Sequence, residues 1–209
     1  MDACRKIDLA TWPRTAVFHF FQNFTEPFHG VCIRMDCTAA FEYAKANRIS
    51  VFLTLVHCSL VAAHHVENFR TRILEGEAWL FDYIHAGCAV GRQNGTIGFA
   101  HYPFHHDLAE FAHRGSEAIE DTKRRSNLER PPGQNLIRFS SLPWLDFTSL
   151  EHARNHEVED SAPRITFGKI TESDGRRTLP VSIHVHHGLV DGAHVGEFVE
   201  LLQARLDSF

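Results

Sequence analysis

The sequence predicts an α/β chain of the α+β two-layer sandwich kind, a mixed β-sheet with helices packed on one face. Three observations lead there. Short runs rich in β-branched and aromatic residues are interspersed with helical patterns, but in no strict strand–helix–strand rhythm. Asn94-Gly95 separates two such runs and is a hairpin signal, because both residue types tolerate positive φ. Finally, the alternating run V-S-I-H-V-H-H is followed by a C-terminal segment with apolar residues at helical spacing. No internal repeat or separating linker interrupts the 209 residues, so one domain over 1–209 is expected.

The elements follow in order. A helix or turn is expected near Pro13 to Phe21, then an extended segment at Val31 to Asp36. Thr38 can cap a helix beginning at Ala39, and a second helix is expected over Val51 to Phe69. Trp79 to Ile84, Cys88 to Arg92 and Thr96 to His101 have strand character, the last two joined by the Asn94-Gly95 turn. Asp107 opens a helix that places Leu108, Phe111 and Ala112 on one face. Arg124 to Asn135, charged and rich in Pro and Gly, is expected to be a surface loop. Arg164 to Lys169 and Leu179 to His187 are strands; Val181, Ile183, Val185 and His187 share a face of the second. Val195, Phe198, Val199, Leu202 and Leu206 mark the final helix.

Composition narrows the function classes. With 44% hydrophobic and 22% charged residues, disordered, collagen-like and coiled-coil chains are excluded. The formal net charge of -5 argues against a nucleic-acid partner. The most apolar stretch, Val51 to Ala63, is too short to span a bilayer, so no membrane partner is expected. The N-terminus shows no export signal, and Cys4, Cys32, Cys37, Cys58 and Cys88 are scattered without a C-x-x-C pair. Buried reduced thiols and a cytoplasmic protein follow from that pattern. Histidine is the unusual entry, at 16 residues.

Two stretches can carry chemistry: His186 to Gly192 (H-H-G-L-V-D-G) and Ser140 to Ser149 (S-S-L-P-W-L-D-F-T-S). In the first, a histidine ends an apolar strand and an Asp-Gly turn opens a helix four residues later. Such a mounting projects one imidazole from a rigid element, as a general base requires. The same residues also suit a satisfied core histidine followed by a common turn, and the spacing alone leaves both open.

The second observation is a resemblance. V-H-H-G-L-V-D-G-A-H-V resembles the V-H-H-A-V-C-D-G-F-H-V signature of the chloramphenicol acetyltransferase family. F-S-S-L-P-W-L-D-F-T-S is similar to that family's S-A-x-P-W-V-x-F-x-S, and I-T-F-G-K to its T-M-G-K segment. Trp12-Pro13-Arg14 with the trailing Phe18-His19-Phe20-Phe21 resembles its W-x-R and aromatic cluster. The resemblance implies a fold like the coenzyme A-dependent acyltransferases and acetyl-CoA as cosubstrate, with no permanently bound cofactor and no metal. It implies His187 as general base, a role worth on the order of 10²–10⁴-fold, with Ser140 and Thr166 supporting the tetrahedral intermediate. Asp191 would pair with Arg14 as structural support. Phe20, Phe21 and Arg138 would bind the acceptor, and Lys169 the coenzyme. The implied assembly is a homotrimer with active sites between subunits, inactivating the antibiotic by direct transfer in a ternary complex.

The chain departs from the family where substrates are recognised. Arg48-Ile49-Ser50-Val51 replaces K-F-Y-P, Asn94 to Phe99 replaces T-E-T-F-S, and Arg138 and Ile170 stand where the family has Asn or aromatic residues. Two alternatives therefore accompany the leading reading. One is a transferase of the same fold acting on another small hydroxyl or thiol. The other is a non-catalytic histidine-rich protein holding zinc through His184, His186 and His194. His186 is expected to be packed or exposed, and the pairs His64-His65 and His105-His106 to be solvated.

Overall fold

A computed structural model describes residues 3–129, 133–156 and 158–209. The first segment forms β1 (Cys4–Lys6), α1 (Thr15–Gln22) and β2 (Phe28–Asp36), then α2 (Thr38–Ala46), α3 (Val51–His65) and α4 (Glu67–Arg70). β3 (Thr71–Leu74), β4 (Glu77–Phe81), β5 (His85–Gly91) and β6 (Ile97–Tyr102) lead to α5 (Leu108–Arg124). The chain ends with β7 (Leu136–Ser141), β8 (Arg164–Phe167), β9 (Thr171–Ser173), β10 (Arg176–His186) and α6 (Gly192–Asp207).

The strands make a small antiparallel sheet, β1-β4-β3, and a seven-stranded sheet ordered β2-β10-β8-β7-β5-β6, with β9 beside β10. The large sheet is mixed: β7 runs parallel to β5 and β8, while β10 is antiparallel to β2 and β8. Alternation gives it two unlike faces. Ile137, Phe139, Ile165, Phe167, Val181, Ile183 and Val185 are buried in one core with Leu53, Leu60, Phe111 and Phe198 of the helices. The opposite face carries Arg138, Ser140, Arg164, Thr166, Ser182, His184 and His186, a polar set of which Arg164, Thr166, Ser182 and His186 are buried.

The expected elements are present, with displaced boundaries. Asp107 caps α5 by accepting from the Glu110 N–H at 2.8 Å. Gly95 takes the positive φ of the β5–β6 turn, +79°, while Asn94 instead accepts from Thr96 through its side chain. Thr38 is not a cap: its hydroxyl donates to Asp36 and accepts from the Arg177 N–H, and Cys37 occupies the cap position. The expected helix over Val51 to Phe69 breaks at extended Val66 (φ -106°, ψ 103°) into α3 and α4. β1, β3, β7 and β9 were not expected. β3 turns into β4 through Glu75-Gly76, both at positive φ. Arg124 closes α5 rather than opening the loop, and Arg130 to Pro132 of that loop lie outside the described residues. Cys37, Cys58 and Cys88 are buried, but Cys4 is exposed and Cys32 half-buried.

Candidate active site

β10 and the turn after it mount the candidate base. The β10–β2 pairing runs to His186 opposite Phe28, and the His187 N–H continues it by donating to the Pro27 carbonyl at 2.8 Å. The imidazole of His187 stacks on Phe21 (centroids 4.2 Å apart, 6° between planes), which α1 delivers, and meets the ring of His29 at 4.3 Å. Its buried Nδ1 has no hydrogen-bond partner among the described residues. Ring packing, rather than a carboxylate, orients this histidine.

The carboxylate nearby has another task. Arg14, just ahead of α1, donates to Asp191 Oδ2 at 2.5 Å and to the His187 carbonyl at 3.0 Å. Asp191 also caps α6, accepting from the Ala193 N–H, while His194 Nδ1 accepts from the Asp191 N–H. One guanidinium thus ties the N-terminal segment, the backbone of His187 and the start of α6 together. Burial pushes the Asp191 carboxyl up, but Arg14 and His194 outweigh it and hold the group below the usual carboxylate range.

Ser140 and Thr166 form a second group. They are direct partners in the parallel β7–β8 ladder, and Thr166 faces Ser182 across β10. The Thr166 hydroxyl lies 3.3 Å from His152 Nε2. Burial, reinforced by neighbouring His184, lowers the His152 pKa to about 4, so the ring is neutral at pH 7. Beside Ser140 opens a cavity of about 300 Å³ lined by Arg138, Arg164, His152, Ile97 and Phe99. Arg138 and Arg164 both reach Asp160, at 3.4 and 2.7 Å.

The two groups do not meet within one chain. Thr166 pairs with Ser182, five residues before His187, which at strand rise is roughly 17 Å. His187 also lies on the Val185 side of the sheet by alternation, and Ser140 on the open side. Phe21 lies against His187, whereas Phe20 is 61% exposed and joins Phe21 and Phe24 in an aromatic cluster. Lys169 is exposed after β8, where its N–H donates to the Leu145 carbonyl at 2.8 Å.

The other histidines divide between packing and solvent. His186 is buried, its Nδ1 accepting from the Gly188 N–H, and burial with Arg154 nearby lowers its pKa to about 4. His184 donates to the Leu150 carbonyl at 2.9 Å. His64 is not solvated as expected: it bridges the Leu60 carbonyl and the Ile84 N–H and packs on Phe104. His65 and His106 are exposed. Among the described residues, no three His, Cys, Asp or Glu side chains gather as a metal site would require, and no helix is long and apolar enough to cross a membrane.

Two histidines near the site escaped the sequence reading. His29 donates through Nε2 to the Val190 carbonyl at 3.2 Å, and burial lowers its pKa. Its signal was present, since alternation along F-H-G-V-C-I-R-M-D puts His29 on the face of Val31, Ile33 and Met35. His152 had none, because an irregular segment carries it back over the sheet.

Residues 3–203 match the family model described as chloramphenicol acetyltransferase. A chloramphenicol acetyltransferase of Bacillus pumilus is 28% identical over 189 residues, 89% of this chain and 86% of its own length. A solved chloramphenicol acetyltransferase superimposes with a TM-score of 0.83 at 26% identity, covering 98% of this chain and all of its own. The dihydrolipoamide acetyltransferase of Azotobacter vinelandii shares the fold, with a TM-score of 0.66 at 18% identity over 92% of this chain and 86% of its own.

Proposed function

Since the chain belongs to the chloramphenicol acetyltransferase family, whose members are acyltransferases, we propose that it moves an acetyl group from acetyl-CoA to a hydroxyl of a small acceptor, with chloramphenicol as the reference acceptor. The observation that carries this reading is the mounting of His187: strand-end backbone, Phe21 beneath the ring, and Arg14 clamping its carbonyl to Asp191. His187 takes the acceptor hydroxyl proton as that oxygen attacks the thioester carbonyl. The Ser140 hydroxyl donates to the resulting oxyanion, a contribution of about 10²–10³ in turnover. Collapse breaks the C–S bond, and His187 returns the proton to the departing thiolate, so the products are an acetyl ester and free coenzyme A. Thr166 supports the same intermediate through water, Lys169 meets the coenzyme, and Phe20, Phe21 and Arg138 meet the acceptor. No acyl-enzyme is formed and no permanently bound cofactor or metal is used.

The roughly 17 Å between His187 and Thr166 along one chain supports a homotrimer whose active sites lie between subunits, the base of one copy facing Ser140 of the next. A cytoplasmic enzyme fits the five free thiols, and acetylation of chloramphenicol would confer resistance. The test is release of coenzyme A thiol from acetyl-CoA in the presence of chloramphenicol. His187→Ala should abolish it while the far-ultraviolet circular dichroism stays native; retention of most activity would refute the assignment. A second reading, the same transfer to a different small hydroxyl, is favoured by the guanidinium groups beside Ser140.

A further inference from the structure

We propose that the acceptor this site is built for is an apolar-bodied hydroxy acid, whose carboxylate is held by Arg138 and Arg164 while its hydroxyl is presented beside Ser140. The inference rests on the transferase reading above and assigns its substrate class.

The cavity next to Ser140 has two kinds of wall. Ile97 and Phe99 offer an apolar side large enough for an aromatic or branched body, within a volume of about 300 Å³. Facing it are the two guanidinium groups, and among the described residues no Asp or Glu lines the cavity. Asp160 touches both arginines from behind, so a single carboxylate serves two cations. Arg164 spends further bonds inside the protein, donating to the Ala153 carbonyl at 2.8 Å, and its side chain is only 9% exposed. The Arg138 guanidinium reaches Asp160 at a long 3.4 Å, and its side chain is 28% exposed. The Nε atoms of both are buried and have no hydrogen-bond partner among the described residues.

Fully buried Arg72, and Arg154 paired with Glu26 at 3.4 Å, also lie near Asp160, so the charge around this half-enclosed wall is net positive. Burying such a charge is costly unless an anion meets it, and a guanidinium fork matches a carboxylate better than it matches a neutral ring. His152 does not supply the missing anion or add a cation, because it is neutral there. A neutral acceptor would leave this charge uncompensated, whereas a carboxylate completes it.

The experiment compares two acceptors of the same shape, 4-(hydroxymethyl)benzoate and its methyl ester, with chloramphenicol as third acceptor. Coenzyme A thiol release is measured for each. The acid should exceed the ester by roughly 10- to 100-fold in kcat/KM, the value of one charge-assisted recognition. Arg138→Gln should remove that preference, and Asp160→Asn, which frees both guanidinium groups, should increase it. The KM for acetyl-CoA reports separately on the coenzyme. Equal kcat/KM for acid and ester would overturn the proposal. So would a preference that survives Arg138→Gln, or a variant whose defect lies in the KM for acetyl-CoA, which would assign the arginines to coenzyme phosphates. Acetylation of chloramphenicol without acetylation of the acid sinks this inference alone; no thiol release with any of the three sinks the transferase reading beneath it.

Discussion

Replacing Arg14 with alanine should weaken both the fold and the reaction, and the structure sets how much of each. The Arg14 side chain is 13% exposed and the Asp191 side chain 35%, so their pair is neither a surface ion pair nor a fully buried one. Discounting for solvent, its loss is worth about 1–2 kcal/mol, between the surface and buried limits. The bond to the His187 carbonyl at 3.0 Å adds about 1.5 kcal/mol as a charge-assisted contact, while the 3.5 Å approach to Gly188 is too long to count. The total of about 3 kcal/mol corresponds to a Tm drop of roughly 6–12 °C for a chain of this size. Asp191→Asn isolates the ion pair, because asparagine caps a helix as well as aspartate does, so only about 1–2 kcal/mol should be lost. Turnover should fall by about 10²-fold in Arg14→Ala, since an unclamped His187 backbone displaces the base by the fraction of an ångström that proton transfer does not tolerate. The sign with pH follows from the depressed Asp191 carboxyl. Its stabilising effect is present above the unfolded value of about 3.9 and is lost as pH falls through the lower folded value. Thermal unfolding at neutral pH and thiol-release kinetics on both variants provide the measurement. A Tm shift in Arg14→Ala no larger than that of exposed Arg114→Ala, or an unchanged kcat, would refute the clamp.

The buried histidines should make the fold sensitive to mild acid. Burial lowers His64, His152 and His186 from 6.5 to about 4; below 6.5 the unfolded chain takes up protons the folded chain refuses, so these three alone lower stability by up to about 4 kcal/mol per unit as pH falls. A urea midpoint that stays constant from pH 7 to 5 would contradict this. Gly168→Ala should cost about 1–3 kcal/mol and loosen the Leu142–Phe147 segment, because a Cβ there would meet Pro180 Cγ at 2.5 Å and the Leu145 carbonyl at 2.9 Å; a wild-type Tm would argue against it. Mixing inactive His187→Ala and Ser140→Ala chains through unfolding and refolding should restore about a quarter of wild-type activity if the two residues act across a head-to-tail interface, and no recovery would confine the site to one chain.

Much of the fold was legible because patterning and tertiary demand agree where both faces of an element differ. β10 shows its alternation in the sequence, and α6 its helical spacing, since each packs one face on the core. The missed strands show the converse. β7 reads L-I-R-F-S-S, short and mixed in polarity, because the face opposite the core carries the half-buried polar Arg138 and Ser140. α3 is apolar on all sides, so its pattern gave no hint that Val66 ends it before α4. Within the site, His187, Asp191 and Arg14 were legible from the motifs that carry them. The assignment of Phe20 and Phe21 as an equivalent pair was not resolved by sequence: one is an exposed member of a cluster, the other stacks on the His187 ring. Arg164, Asp160 and His152 belong to no motif: the β7–β8 ladder sets Arg164 beside Arg138, and the return of an irregular segment over the sheet brings Asp160 and His152.

That division bears on how the proposed enzyme is built. A sheet presents alternate residues to opposite faces, so His187, held just past the end of β10 on the Val185 side, and Ser140, on the other face of β7, do not turn toward a common point in one chain. Rigid mounting of each group and their meeting in one chain are therefore in conflict. The proposed assembly would resolve it: each chain holds His187 by Phe21 and Arg14 on one side, and Ser140 with its cavity by β7 and β8 on the other. Activity then depends on an interface that neither group's local surroundings reveal. The arginines beside Ser140 add a second consequence: their charge is half-enclosed in the single chain, and a neighbour seated on that face in the proposed assembly would enclose it further. Selection for an anionic acceptor and assembly of the subunits are, on this reasoning, coupled through the same two guanidinium groups: an anion in the cavity should stabilise the assembly, and raising the salt concentration should weaken both together.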